Sequence, residues 1–347
     1  MAPEEWPIAA PAADRAVDPA RPAGRGRLDI VRRDFFLDPA KRLTEQERAL
    51  MTALLHGLVA QIADDLRAAL PTGIAAANDE DDGQLIADLR SAGLLDLPEL
   101  IALLLRCADE ERIGTAVRSL GEGRNYRHLQ SLVSSEDADV SAAAMTVILA
   151  HGRRRDRLGQ ALIELDDLTA RTVQRLLHAV GAGLSRRYPA AESQLAEAGE
   201  ALLSQHDPGR GVAALVEALV AAVDSAGMLD EQRLGAAADE GDVAFLSEAL
   251  ARRAGIDSGE ALDHLLDGGG GRLVLLLRMA GVQRSLAARI LATLGELVGV
   301  ADPGREIARF DEISDDQALA ARQRLSLAAE FRESLAALEA GNGKRPV

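Results

Sequence analysis

Leu250-Ala251-Arg252-Arg253-Ala254-Gly255-Ile256 returns 26 residues later as Leu276-Leu277-Arg278-Met279-Ala280-Gly281-Val282. The register holds beyond the match, with Ala261 falling on Ala287 and Leu265 on Leu291. Each copy reads as the end of a helix. Gly after the last helical residue can turn left-handed and satisfy the terminal carbonyls, and the aliphatic residue behind it packs back on the helix. A period of this length fits two short helices per unit, as in stacked helical repeats.

The same Ala-Gly-aliphatic stop stands at Ala92-Gly93-Leu94, Ala182-Gly183-Leu184 and Ala226-Gly227-Met228, which makes five predicted helix ends. Arg90 precedes the first of them as Arg252 and Arg278 precede theirs. Helix starts are equally readable. Leu43-Thr44-Glu45-Gln46-Glu47 is a capping box, with Thr44 at the cap, Glu47 reaching back and Leu43 as a hydrophobic staple. Leu50, Leu54, Leu58, Ile62 and Leu66 then step by fours to Pro71, one buried face on a long helix. Asp96-Leu97-Pro98-Glu99, Asp166-Asp167-Leu168-Thr169 and Tyr188-Pro189-Ala190-Ala191-Glu192 open further helices. The stretch 135–144 resembles the polar turn and small-residue helix start of HEAT-type repeats. A last helix is predicted from the Ser314-x-x-Gln317 box to about Glu339.

Composition agrees. Hydrophobic residues make up 48% of the 347 and aromatics only 2%, so the core is built from Leu, Ala, Val and Ile, which suit close-packed helices. The expected fold is all-α, an α-solenoid-like (HEAT-like) stack of short antiparallel helices. The expected divisions are a disordered Ala/Pro-rich arm over 1–27, a helical region over 28–226, a helical repeat region over 227–300 and a C-terminal helix and tail over 301–347. Phe35 and Phe36 are expected to dock on the first helix.

Charge narrows the partners. The 39 Lys and Arg against 55 Asp and Glu leave a net −16, which repels nucleic acid from most of the surface. Cys107 is the single cysteine, so the chain has no internal disulfide and no cysteine-based metal cluster. The acidic start Met1-Ala2-Pro3-Glu4-Glu5-Trp6 is unlike a secretory signal, and the apolar runs near 140–150 and 212–223 are too short to span a bilayer. A cytoplasmic protein without a transmembrane segment is expected.

Reactive constellations are scarce. The six histidines are scattered without metal-ligand spacing, and the acidic turn Asn78–Gly83 has Leu89 where a calcium loop needs Glu. No cofactor and no catalytic residue is expected. Two features remain. Arg153, Arg154, Arg155 and Arg157 form a basic run in an acidic chain, a candidate surface for an acidic partner, or else the solvated end of one helix. If the run is such a surface, replacing all four with Glu would abolish partner capture without lowering stability. Gly269, Gly270, Gly271 and Arg272 form a turn before a helix start, where backbone amides could hold an anion.

The segments Leu43–Leu50 and Asp65–Leu70, together with Phe245-Leu246-x-x-Ala249-Leu250-Ala251 and Ala280-Gly281-Val282, resemble an uncharacterised, mostly alphaproteobacterial domain-of-unknown-function family of helical proteins. The resemblance spans most of 28–300 and implies an all-α, HEAT-like architecture with no catalytic residue to carry over. The expected role is a non-catalytic scaffold or adaptor holding a protein partner in a groove between stacked helices, with self-association through the C-terminal helix. The alternative is a regulatory module sensing a small anionic ligand, nucleotide or anionic lipid. One deep pocket with converging polar side chains would favour a ligand, and a shallow groove the scaffold.

Overall fold

Thr44 and Glu47 make the reciprocal bonds that their spacing predicts. The Glu47 amide donates to the Thr44 hydroxyl at 3.2 Å, and the Thr44 amide donates to the Glu47 carboxylate at 2.7 Å. They open α1 (Glu45–Ala68) in a computed structural model that describes residues 43–70, 82–120, 127–267, 270–328 and a few positions from 331 to 338. Leu54, Leu58, Ile62 and Leu66 are buried along one face of α1, as steps of four require.

The chain continues through α2 (Asp82–Ser91), α3 (Pro98–Leu120), α4 (Arg127–Val133), α5 (Ala138–Arg153), α6 (Ala170–Ser185), α7 (Glu192–Gln205) and α8 (Val212–Ser225). It ends with α9 (Glu231–Glu240), α10 (Val243–Ala254), α11 (Ser258–Leu265), α12 (Gly271–Met279), α13 (Arg284–Leu294), α14 (Pro303–Glu312) and α15 (Asp315–Leu325). The fold is all-α, with no strand among the described residues. By length and composition α1 is the one described helix long and apolar enough to cross a membrane, and its buried face packs on α3 and α6. The runs near 140–150 and 212–223 sit in α5 and α8, which are shorter.

Four of the five glycine stops turn as predicted: Gly93, Gly227, Gly255 and Gly281 have φ between 63° and 71°. In each, the aliphatic residue donates back across the turn, as Ile256 does to the Ala251 carbonyl at 3.1 Å and Val282 to Leu277 at 3.2 Å. The fifth is different. Helix α6 runs through Ala182-Gly183-Leu184 to Ser185, and a Cβ on Gly183 would lie 2.5 Å from Leu85 Cδ1. Gly183 is therefore glycine for proximity, where α2 lies on α6, and caps nothing. An unpredicted stop of the same kind occurs at Gly241, φ 67°, where Asp242 donates to the Ala237 carbonyl at 3.0 Å.

The 26-residue repeat is structural. Leu250 and Leu276, Ala254 and Ala280, Ala261 and Ala287, and Leu265 and Leu291 are buried in both copies, which are α10–α11 and α12–α13. The C-terminal region differs from expectation. Asp302-Pro303 starts an additional helix, α14, and α15 keeps the Ser314–Gln317 capping box but ends at Leu325. The arm over 1–27 and Phe35 and Phe36 lie outside the described residues.

Buried apolar residues form two clusters. The first joins α1, α2, the start of α3, α6 and α7; the second joins the end of α3 with α4, α5 and α8 to α15. One apolar cluster crosses the expected boundary of 226 and 227, joining Val216, Leu219 and Val223 of α8 to Leu234 and Leu246. The clusters instead meet along α3, with Leu100 and Leu104 in one and Ile113 and Val117 in the other.

Candidate functional site: a cavity beside α3

One face of α3 lines a cavity of about 660 Å³, through Glu99, Leu103, Cys107, Glu110, Gly114 and Val117. These positions follow helical steps of three and four, so the cavity follows most of the helix, roughly 27 Å at 1.5 Å per residue. One wall comes from Asp166–Thr169 and the first turn of α8, the other from α9, α10 and the start of α11.

The α9–α10 turn is held against α3 by the absence of side chains. A Cβ on Gly241 would lie 3.1 Å from Val117 and 3.2 Å from the Gly114 Cα. Asp242 then caps α10, accepting from the Phe245 amide at 2.9 Å. Its other oxygen lies 3.1 Å from Nε2 of buried His128, whose Nδ1 is 3.0 Å from Glu240 Oε2. The His128 amide also donates to Glu240 at 3.0 Å. Burial pulls the His128 pKa down, but Asp242 and Glu240 outweigh it and hold it up at about 9. Burial likewise pushes Asp242 up, and the imidazolium outweighs that and keeps it below the usual carboxylate range. This trio is a charged clamp joining α4 to the α9–α10 turn.

Cys107 and Glu110, both half-buried, line the cavity on α3. Burial pushes the Cys107 thiol far up, so it stays protonated and is a poor nucleophile. Burial pushes the Glu110 carboxyl up to about 7; Arg106, 3.9 Å away, only partly offsets this, and Asp242 and Asp167 add to it. Burial lowers the pKa of nearby His151, against the pull of Asp242. Towards α11, burial and then the charge of Glu217 raise Glu248, which a hydrogen bond to Ser258 partly offsets.

The basic run does not form one surface. Arg154 is buried, its guanidinium donating to Asp167 at 2.9 and 2.8 Å and to the Ala150 carbonyl at 3.2 Å. Arg155 donates to both oxygens of Glu111, at 2.9 and 2.6 Å. Arg153, 3.6 Å from Glu164, and Arg157 are exposed. The run thus starts at the end of α5, where Arg153 and the cap residue Arg154 complement a helix C-terminus, and continues beyond it, with Arg154 and Arg155 tied into the cavity wall.

The glycine turn is no better placed for an anion. Gly269 lies outside the described residues, and Gly270, φ 73°, caps α12. A Cβ on Gly270 would lie 2.9 Å from Glu306 Cγ, and the Arg272 amide is turned to Asp267 Oδ2 at 3.3 Å. An anion arriving beside Gly271 would meet the Arg309 guanidinium and exposed Arg272, and with them the carboxylates of Glu306 and Asp267. Of the acidic turn, 78–81 lie outside the described residues, while Asp82 starts α2 and pairs with Arg67. No group of three metal-ligating side chains occurs among the described residues.

The cavity residues Glu110, Glu240, Asp242 and Glu248, and His128 behind them, are not singled out by sequence spacing, and Asp167 reads only as part of a helix start. The one local signal is in α3, where Arg106, Glu110, Glu111 and Arg118 recur at steps that put charge along a face. Such a pattern ordinarily describes a solvated surface.

A family model described as "Uncharacterised protein conserved in bacteria (DUF2336)" matches residues 117–326. The match takes in the Phe245 and Ala280 stretches that carry the resemblance, and leaves out Leu43–Leu70. No curated protein and no solved structure matches the chain.

Proposed function

We propose a function on the premise that the chain belongs to the DUF2336 family: a non-catalytic, HEAT-like helical scaffold or adaptor that takes a segment of a partner protein into the cavity beside α3. The observation that carries this reading is the cavity's form. It follows α3 from Glu99 to Arg118 between two helical walls, which suits an extended or helical segment. Exposed Leu319, Leu327 and Phe331 near the C-terminus support self-association there.

A second reading, a small-ligand sensor, draws support from the volume, since about 660 Å³ lies within the usual range of small-molecule sites. An anionic ligand draws less, because ten Asp and Glu line the cavity against six Arg. A photo-crosslinking amino acid at Ala213, on the wall, tests both readings in the native host, with one at Glu197, exposed on α7, as control. A defined protein crosslinked from 213 and not from 197 is the expected result. A small molecule retained in native mass spectrometry, without a protein adduct, would favour the sensor. Neither one would overturn both.

A further inference from the structure

We infer that the cavity is a cation site, receiving the guanidinium or ammonium of an Arg or Lys side chain on the partner segment, with Glu110 on α3 and Glu217 and Glu248 towards α11. This rests on the proposed binding role and adds its chemistry. The first observation is the cavity itself, whose volume of about 660 Å³ leaves room for several side chains.

The second is how the lining charges are spent. Arg154 is committed to Asp167, Arg155 and Arg118 to Glu111, and Arg289 to Asp239. Glu240 and Asp242 face His128, and Glu99 accepts from Thr169 and Thr172. Asp166 is held by Arg210 at 2.9 Å, and after these pairings three carboxylates remain. Glu110 has only Arg106 at 3.9 Å, beyond hydrogen-bond reach. Glu248 faces the like charge of Glu217 and has Ser258 as its polar partner. Glu217, exposed on α8, has no ion pair or hydrogen bond of its own among the described residues. Two lining guanidiniums are in the same position, Arg106, which faces only Glu110, and exposed Arg127.

A wall that holds ten carboxylates and six guanidiniums attracts a cation and repels an anion. A half-buried carboxylate such as Glu110 or Glu248 is stabilised by an incoming cation that hydrogen-bonds to it, and Arg or Lys on a chain segment brings one on a long apolar stem. A metal ion fits less well, because no three ligating side chains converge among the described residues.

The test uses the full chain and fluorescence anisotropy of a labelled nine-residue peptide of alternating Arg and Ala, beside its Glu/Ala counterpart and arginine methyl ester. The Arg peptide should bind and the Glu peptide should not. Glu110→Gln should weaken binding at least tenfold, and Glu217→Gln with Glu248→Gln similarly. Glu197→Gln with Glu200→Gln, exposed on α7, should change it less than twofold. Equal losses in both sets would reveal diffuse attraction to an acidic protein and overturn the site. Binding of the ester without the peptide would overturn the side-chain source. Thermal melting of each variant separates lost binding from lost folding, and Glu110→Asp, which keeps the charge, should retain binding. If a partner still crosslinks from position 213 when Glu110→Gln is present, the cation assignment falls and the scaffold reading stands. If nothing crosslinks from position 213 in the unmodified chain, the scaffold reading falls by itself.

Discussion

Arg154 and Asp167 meet through two parallel hydrogen bonds, Nε to Oδ2 at 2.9 Å and Nη2 to Oδ1 at 2.8 Å, at the end of α5. Asp167 also accepts from the amides of Val212, at 2.9 Å, and Glu164, at 3.0 Å. One buried pair thus ties α5 to the first residue of α8. Arg154→Ala leaves Asp167 buried without its cation, which should cost about 3–5 kcal/mol in urea denaturation. Arg153→Glu or Arg157→Glu should stay within about 0.5 kcal/mol. Replacing the whole run by Glu will therefore lower stability, contrary to what a purely solvated run would do, and only the single exposed positions can test it as a surface.

His128 makes stability depend on pH. Its folded pKa, about 9, is above the ordinary 6.5, so the folded state holds a proton that the unfolded state releases. The contribution is complete below about 6.5 and is lost as pH rises through about 9. The melting temperature should fall across this window. In His128→Asn the fall should flatten, and the protein should be less stable throughout because Glu240 and Asp242 lose their shared cation. A variant with an unchanged pH slope would refute the clamp.

Glu110 has the opposite origin and a different window. Its carboxyl is raised to about 7 chiefly by burial, so the folded state holds a proton that the unfolded chain gives up near 4.5. Stability from this group is therefore full below about 4.5 and declines as pH rises through about 7. Glu110→Gln removes the buried charge, so it should raise the melting temperature at pH 8, on the order of several degrees, and change little at pH 4. Differential scanning calorimetry at the two pH values decides this.

Two glycines that share the Ala-Gly-aliphatic pattern should fail in different ways. Gly255→Ala meets no atom within 4 Å and costs only its left-handed backbone, about 1 kcal/mol. Gly183→Val must displace Leu85 between α2 and α6, an overpacking cost of about 1–3 kcal/mol. A second substitution, Leu85→Ala, should recover part of the second loss and none of the first. Denaturant midpoints of the four variants measure both.

Those two glycines also mark how far the sequence can be read. Capping is local: Thr44 with Glu47, Ser314 with Gln317, and a glycine stop such as Gly255 each need a few neighbouring residues and elementary sterics, and all three form as expected. Gly183 looks the same over those residues, but its role is set by Leu85, 98 positions away. The cavity is wholly of the second kind. His128 finds Glu240 across 112 residues, and Arg155 finds Glu111 across 44. Read locally, Arg153–Arg157 was one patch of charge; in the fold its members are divided between solvent and a buried pair. The apolar pattern is legible because each helix needs a face, while the pairing of charges depends on which faces meet.

The sharing of α3 between two apolar clusters has a consequence for what counts as a unit. The family match starts at 117, near the end of α3, whereas α6 buries Leu176, Val180 and Leu184 in the cluster completed by α1, α2 and the start of α3. A polypeptide begun at 117 would present those leucines and that valine to water and would lack the helix along which the cavity runs. The segment that recurs among bacteria and the segment that shares an apolar core have different boundaries, and in this chain the cavity lies across the difference.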